Sequence, residues 1–269
     1  MKAPRLITAM ASLTCLVTVM AASSQAHFGT LVPSDDIVSQ NERKKIELQL
    51  KFLHPIEGQY MEMEKPKQFG VLHDGKKTDL LSTLVADKGK SSDQDREFTF
   101  WHSTYQIKRP GDYTFYAEPT PYWEPAEDVF IIHYTKVCVD ALGLEKGWDE
   151  PVGLETEIIP LTRPYGLWTG NLFTGQVLIK GQPAANTEVE IEYFNEAAGK
   201  NGMIKPPSDP YVTQVVKTDT NGVFSYAMPK AGWWGFAALS EASWTMKKDG
   251  VDKNIEIGAV YWVRTIDVQ

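Results

Sequence analysis

Cysteine is almost absent from these 269 residues, with Cys15 and Cys138 the only two. Cys15 lies in an apolar run near the N-terminus. A chain trimmed of that run keeps one thiol and has no intramolecular disulfide. Thr14 before Cys15 argues against lipidation, which usually follows Gly, Ala or Ser. Cys138, within Val137-Cys138-Val139, has the context of a buried, inert thiol. Helical periodicity is missing from the first half as well, since no useful length there carries apolar residues at i, i+3 and i+4. So are the common catalytic signatures. There is no G-x-S-x-G elbow, no H-E-x-x-H and no phosphate-cradling glycine loop leading into a helix, and the chain is therefore not read as an enzyme. After residue 22 no second long apolar run exists, so no later membrane span is expected. The formal net charge is −8, which suits a solvated acidic surface and fits nucleic acid poorly.

The first 26 residues have the three parts of a secretory leader. Lys2 and Arg5 are its basic region, Leu6 to Ala22 its apolar region, and Ser24 and Ala26 its small residues before a cleavage point. The expectation is a periplasmic or otherwise exported protein, without a membrane anchor once cut. Loss of Lys2 and Arg5 takes the charge from −8 to −8 − 2 = −10.

The remainder reads as strands. Hydrophobic residues make up 42% of the chain, enough for a core, while 16 Pro and 20 Gly punctuate it with turns. Ile46, Leu48, Leu50 and Phe52 alternate along one face, His54 continues that face, and Pro55 stops the strand. Strands are expected at 69–72, 98–107, 113–118 and 129–139, a hairpin turn at Asp74-Gly75, a loop at 55–68 and an exposed loop at 86–96. The class is all-β, beginning with an Ig-like antiparallel sandwich. The expected layout is a leader at 1–26, a first sandwich at 27–140 carrying a metal site, a connector at 141–155 and a second sandwich at 156–269.

Cleavage after Ala26 exposes a histidine with a free α-amine. An α-amine has a pKa of about 7.7–8.0 and gives up its proton to a metal near neutral pH. Amine and ring nitrogen of His27 then chelate one ion, and another imidazole completes a nitrogen-rich set. Such sets suit nickel, copper and zinc over calcium and magnesium. His54, before an acidic, Met-rich loop, is the first candidate partner. His102 and His133 lie on strands, where a structural role competes with ligation. His73, beside the turn, is set aside. Met61 and Met63 are read as packing, and at least two of Glu57, Glu62 and Glu64 as solvated.

Two resemblances add to this reading. Gly175-Gln176-Val177, Gly181-Gln182-Pro183, Thr218-Asp219-Thr220-Asn221-Gly222 and Lys230-Ala231-Gly232 resemble prealbumin-like, carboxypeptidase-regulatory modules. They imply a prealbumin-like fold for the second sandwich. His27-Phe28-Gly29 after the leader, His54-Pro55-Ile56-Glu57-Gly58, Pro110-Gly111-Asp112-Tyr113, Tyr122-Trp123-Glu124-Pro125 and Ala231-Gly232-Trp233-Trp234 resemble a further family. It is the NikK-like periplasmic component of energy-coupling-factor nickel transporters, a domain-of-unknown-function family. This resemblance implies nickel capture and presentation to membrane transporter subunits, with His27 and His54 carried over first and His102 and His133 after them. Two other readings remain open: a copper protein or copper oxidase built on the same N-terminal chelate, and a metal-free binding or scaffold module.

Overall fold

The computed structural model describes residues 27–91, 96–195 and 204–268. The leader expected at 1–26 lies outside them. In the first half the principal strands are β1 (Phe28–Pro33), β2 (Lys45–His54), β3 (Gln68–His73), β4 (Val85–Lys90), β5 (Glu97–Gln106), β6 (Gly111–Glu118) and β7 (Val129–Ala141). In the second half they are β8 (Thr156–Pro160), β9 (Leu172–Ile179), β10 (Glu188–Tyr193), β11 (Gln214–Lys217), β12 (Val223–Ala227), β13 (Gly232–Glu241) and β14 (Ile255–Ile266). Among the described residues the only helical elements are two single 3-10 turns, and none is long and apolar enough to cross a membrane.

The all-β, Ig-like sandwich architecture expected from the alternation is present. One small sheet runs β1-β2-β5-β4, and a second is built on β9 with β8 and β12 beside it. Between them lies a long sheet whose path is β11-β10-β13-β14-β7-β6-β3. It passes from one half of the chain to the other through β7 and β14, which pair in parallel from Phe130↔Ile255 to Val137↔Trp262. The two sandwiches therefore share a sheet.

Burial follows from that sharing. Ile131, Val137 and Val139 of β7 join the core formed with β1 and β2, together with Val260 and Trp262 of β14. Cys138 of β7 and Ala259, Tyr261 and Val263 of β14 face the second core, with Phe173 and Phe236. A strand covered on both faces reads as a continuous apolar run, as Val129–Val139 does. Near the start of β6, the Tyr113 hydroxyl donates to the Arg109 carbonyl at 2.9 Å, the tyrosine corner of Ig-like sandwiches.

Two sequence expectations are corrected. Gln59–Met61, inside the expected loop 55–68, pairs antiparallel with β2 from Phe52↔Met61 to His54↔Gln59. The segment 86–96 was read as an exposed loop, yet Val85–Lys90 pairs with β5 from Val85↔His102 to Lys90↔Glu97. Its side chains are almost all exposed, so no alternation marks it. It is a charged sheet edge, a composition that discourages pairing with another chain.

A buried ion pair ties β7 to β8. Lys136 Nζ lies 2.7 Å from Glu157 Oε2, and both side chains are almost fully enclosed. Burial pushes the Lys136 ammonium below its ordinary value, and the Glu157 carboxylate opposes that push. Glu157 also accepts the Val152 and Gly153 amides at 2.9 and 2.7 Å. Removing one member strands a buried charge, so Glu157→Gln is expected to destabilise the protein by about 3–5 kcal/mol. Adding Lys136→Met should recover part of that loss. Urea denaturation of the wild type and the two variants checks it; a single-variant loss below about 1 kcal/mol, the scale of a surface pair, would contradict the assignment.

Candidate metal centre

Strand register creates the centre. β1 and β2 pair antiparallel, with Phe28 opposite Leu53. One step outward, His27 comes opposite His54, and their ring centroids are 4.4 Å apart. Both are buried, at 9% and 5% exposure. The Phe52 ring stacks on His27 at 5.6 Å, and Tyr122 lies 6.1 Å away.

Glu124 decides which face of the His27 ring is available. Its Oε2 sits 3.0 Å from His27 Nε2. Its Oε1 accepts the Ala126 amide at 2.9 Å, which holds the carboxylate in place. A carboxylate on one imidazole nitrogen fixes the ring's orientation and raises the basicity of the other. The other here is Nδ1, the nitrogen within chelating reach of the residue's own α-nitrogen.

Both histidines are anchored from the far end of the sequence. Trp262 Nε1 of β14 donates to the Gly29 carbonyl at 2.9 Å. A Cβ on Gly29 would come within 2.5 Å of Thr135 Oγ1, so only glycine lets β1 approach β7 this closely. Beyond His54, the Ile56 amide donates to Glu192 Oε2 at 3.0 Å. Asn195 completes the clamp, with Nδ2 donating to the Ile56 carbonyl at 2.7 Å and its amide to the Pro55 carbonyl at 3.0 Å.

The other predicted ligands are placed differently. His133 reaches the pair through Phe52, whose ring lies 6.0 Å from it. Its Nε2 is 3.3 Å from Glu256 Oε1, and its Nδ1 has no hydrogen-bond partner among the described residues. The ring lies over Gly258, where a Cβ would approach its Cδ2 within 2.5 Å. Burial pushes the Glu256 carboxyl up, but the hydrogen bond and charge of His133, with the charge of His27, outweigh it and hold the group below its ordinary value. His102 is not brought to the pair. It stands opposite Gln49, five residues or roughly 16 Å along β2 from His54. His73 stacks on Tyr113 at 3.9 Å, away from the pair's register. Met61 and Met63 are buried in the core, while Glu62 and Glu64 are exposed.

No group of three or more His, Cys, Asp or Glu side chains among the described residues is arranged to hold a metal ion. The third nitrogen available to this pair is the main-chain nitrogen of His27, an amine only after cleavage at Ala26. Glu124, Glu192, Asn195 and Glu256 were not singled out for these roles from sequence. The one signal lay in the block Tyr122-Trp123-Glu124-Pro125, where a carboxylate sits among aromatics.

The fold and site together define an all-β protein of two sandwiches on a shared sheet, with a carboxylate-oriented histidine pair at the start of the first strand. The chain belongs to the family described as Domain of unknown function (DUF4198), whose model matches residues 24–242. No curated protein matches it in sequence. Among solved structures it is similar to a putative carbohydrate binding protein from Bacteroides uniformis, at 12% identity and a TM-score of 0.25, over 80% of this chain and 96% of that one. It is also similar to an Escherichia coli alpha-2-macroglobulin, at 10% identity and a TM-score of 0.26, over 90% of this chain and 20% of that one. The D00-D0 domain of intimin matches at 11% identity and a TM-score of 0.20, over 88% of this chain and all of that one. At these scores the likenesses carry no functional argument.

The clamp on His54 is sensitive to pH. Burial pushes the Glu192 carboxyl up to about 8, against the hydrogen bonds from Thr213 and Ile56. Burial and the Glu256 charge likewise raise Glu190 to about 7. The folded state keeps protons that the unfolded state releases. This contribution is therefore complete below pH of about 4.5 and is lost as pH rises through the folded values. Glu192→Gln is expected to flatten the fall in unfolding free energy between pH 5 and 8, measured by urea denaturation. An unchanged slope would contradict the assignment.

Proposed function

We propose that the mature chain is an exported nickel-binding accessory that captures the ion and passes it to subunits of a membrane uptake transporter. The observation that carries this reading is the pairing of His27 with His54 at 4.4 Å, with Glu124 on the His27 nitrogen remote from the backbone. The donors are the His27 amine, His27 Nδ1 and a ring nitrogen of His54. This neutral set favours a borderline divalent ion over calcium or magnesium. The NikK-like motifs favour nickel as the cargo and a transporter as the recipient. His133, with Nε2 given to Glu256, stays out of the set, as does the remote His102.

The same donors favour copper, whose intrinsic affinity exceeds that of nickel, and they also accept zinc. Both histidines are less than a tenth exposed. That suits an ion held for transfer better than an oxidase presenting copper to a polymeric substrate.

Cleavage makes the site in this account, so the test is made at the N-terminus. Nickel titration of protein beginning at His27 is compared with protein carrying one extra Ala ahead of it. The extra residue should weaken binding at least tenfold. His54→Ala should weaken it further, and His102→Ala should leave it unchanged. Glu124→Gln should cost about 10–100-fold, as loss of a ligand-orienting carboxylate does. Equal affinity of the two N-termini would overturn the chelate. Copper bound more tightly in competition is expected of this donor set; copper in place of nickel in protein isolated with its native metal would move the cargo assignment to copper.

A further inference from the structure

β6 and β7 pair antiparallel, with Asp112 opposite Asp140 and Thr114 opposite Cys138. Directly opposed residues point to one side of a sheet, with Cβ atoms about 4.5–5.5 Å apart, so the two carboxyls face each other. Both are buried, Asp112 at 1% exposure and Asp140 at 6%. Neither carboxyl oxygen of Asp112, nor Oδ1 of Asp140, has a hydrogen-bond partner among the described residues. We propose that the two carboxyls share one proton, and that this proton latches the segment after β7 to the first sandwich and releases it when both carboxyls ionise.

Two carboxylates can only accept, so facing each other they need a hydrogen between them. The cations nearby are engaged elsewhere. After β8, Arg163 Nη1 holds Glu145 Oε2 of the connector at 2.6 Å. On β14, Arg264 Nη1 holds Asp36 Oδ1 at 3.1 Å, and on β7 itself Lys136 Nζ holds Glu157 Oε2 at 2.7 Å. Lys146 of the connector is exposed and lies 3.9 Å from Asp74. His73 Nδ1 lies 3.1 Å from the main-chain carbonyl of Asp112. The Tyr165 hydroxyl lies near Asp112 but outside hydrogen-bond geometry. Burial pushes the Cys138 thiol and the Tyr165 and Tyr261 phenols up, so all three are neutral. Burial also raises Asp112 to about 6, and burial with the Glu145 charge raises Asp140. A hydrogen held between a carboxyl and a carboxylate makes a short, charge-assisted bond, and a proton needs no cavity.

The pair sits where three segments meet. The Asp112 amide donates to the Lys146 carbonyl at 3.1 Å, the Asp140 amide to the Asp36 carbonyl at 3.0 Å and the Leu142 amide to the Val38 carbonyl at 2.8 Å. Ile37 and Val38 also run parallel to Asp140 and Ala141. Two buried like charges at this point repel, and parting β6 from β7 strains these main-chain bonds first. The folded pair keeps a proton that the unfolded chain releases near 3.8. Its contribution is therefore complete below that value and is lost as pH rises through about 6.

The test uses protein beginning at His27, kept metal-free with a chelator. Carbon-13 NMR of the aspartate carboxyls should show the pair taking up its first proton near pH 6 and its second below pH of about 4. Amide hydrogen exchange, corrected for its intrinsic pH dependence, should show residues 141–150 opening at least tenfold more at about pH 7.5 than at about pH 4.5. Asp140→Asn places an N–H where the shared proton stood, so its exchange there should stay slow at both pH values. Asp112→Asn should behave in the same way. Both carboxyls protonating together near the ordinary aspartate value would overturn the proposal, and this readout needs no variant to fold. Exchange that is independent of pH in the wild type, or that keeps its pH dependence in Asp140→Asn, would also overturn it. So would slow exchange restored to the wild type at about pH 7.5 by added calcium with the chelator omitted, which would put a cation in place of the proton.

Discussion

The parallel pairing of β7 with β14 is the constraint on which the rest of the structure depends. It joins the strand that closes the first sandwich to the strand that ends the chain, over register positions from Phe130↔Ile255 to Val137↔Trp262. Both strands are covered on both faces, so a break in the pairing would open two cores together. Each feature around the histidines is a step along this ladder. His133 sits over Gly258 because the two are register partners. Glu256, two residues earlier, reaches the His133 ring. Trp262, four residues later, holds the Gly29 carbonyl and so places the residue that precedes β1.

That dependence bears on how the proposed metal site would be assembled at a chain end. An N-terminal residue ordinarily frays, and a frayed chelate would have to order its own ligands on binding. Here the C-terminal half orders them beforehand. Trp262 anchors the start of β1, and Glu192 with Asn195 anchors the turn after His54. The proposed capture of an ion thus draws its ligands from one sandwich and their fixed positions from the other. In the proposed capture, the chain's net negative charge would add a weak, long-range attraction for cations.

Much of the fold was legible because alternation reports burial. Ile46, Leu48 and Leu50 read as one buried face, and they are. Met61 and Met63 packed as their apolar character required. Val85–Lys90 escaped detection because an exposed edge carries no apolar period, its pairing being made by the backbone. The shared sheet escaped detection too, since a parallel pairing of segments so distant in sequence leaves no local mark. The structure brings together His27 and His54, the two residues that the cleavage motif and the strand end had pointed to. Glu124, Glu192 and Glu256 were not pointed to in this way, because their roles depend on partners that only the folded register supplies. His102 looked equivalent to the others in sequence, yet a five-residue offset along β2 separates it from the pair.

The central claim is that cleavage before His27 completes a nitrogen chelate with His54 as its partner. The most direct measurement is a crystal structure of protein beginning at His27, loaded with nickel. The account predicts one ion bonded to the His27 amine, to His27 Nδ1 and to a ring nitrogen of His54, with Glu124 still on His27 Nε2. An ion bound away from His27, or held through Nε2 with the amine free, would contradict it.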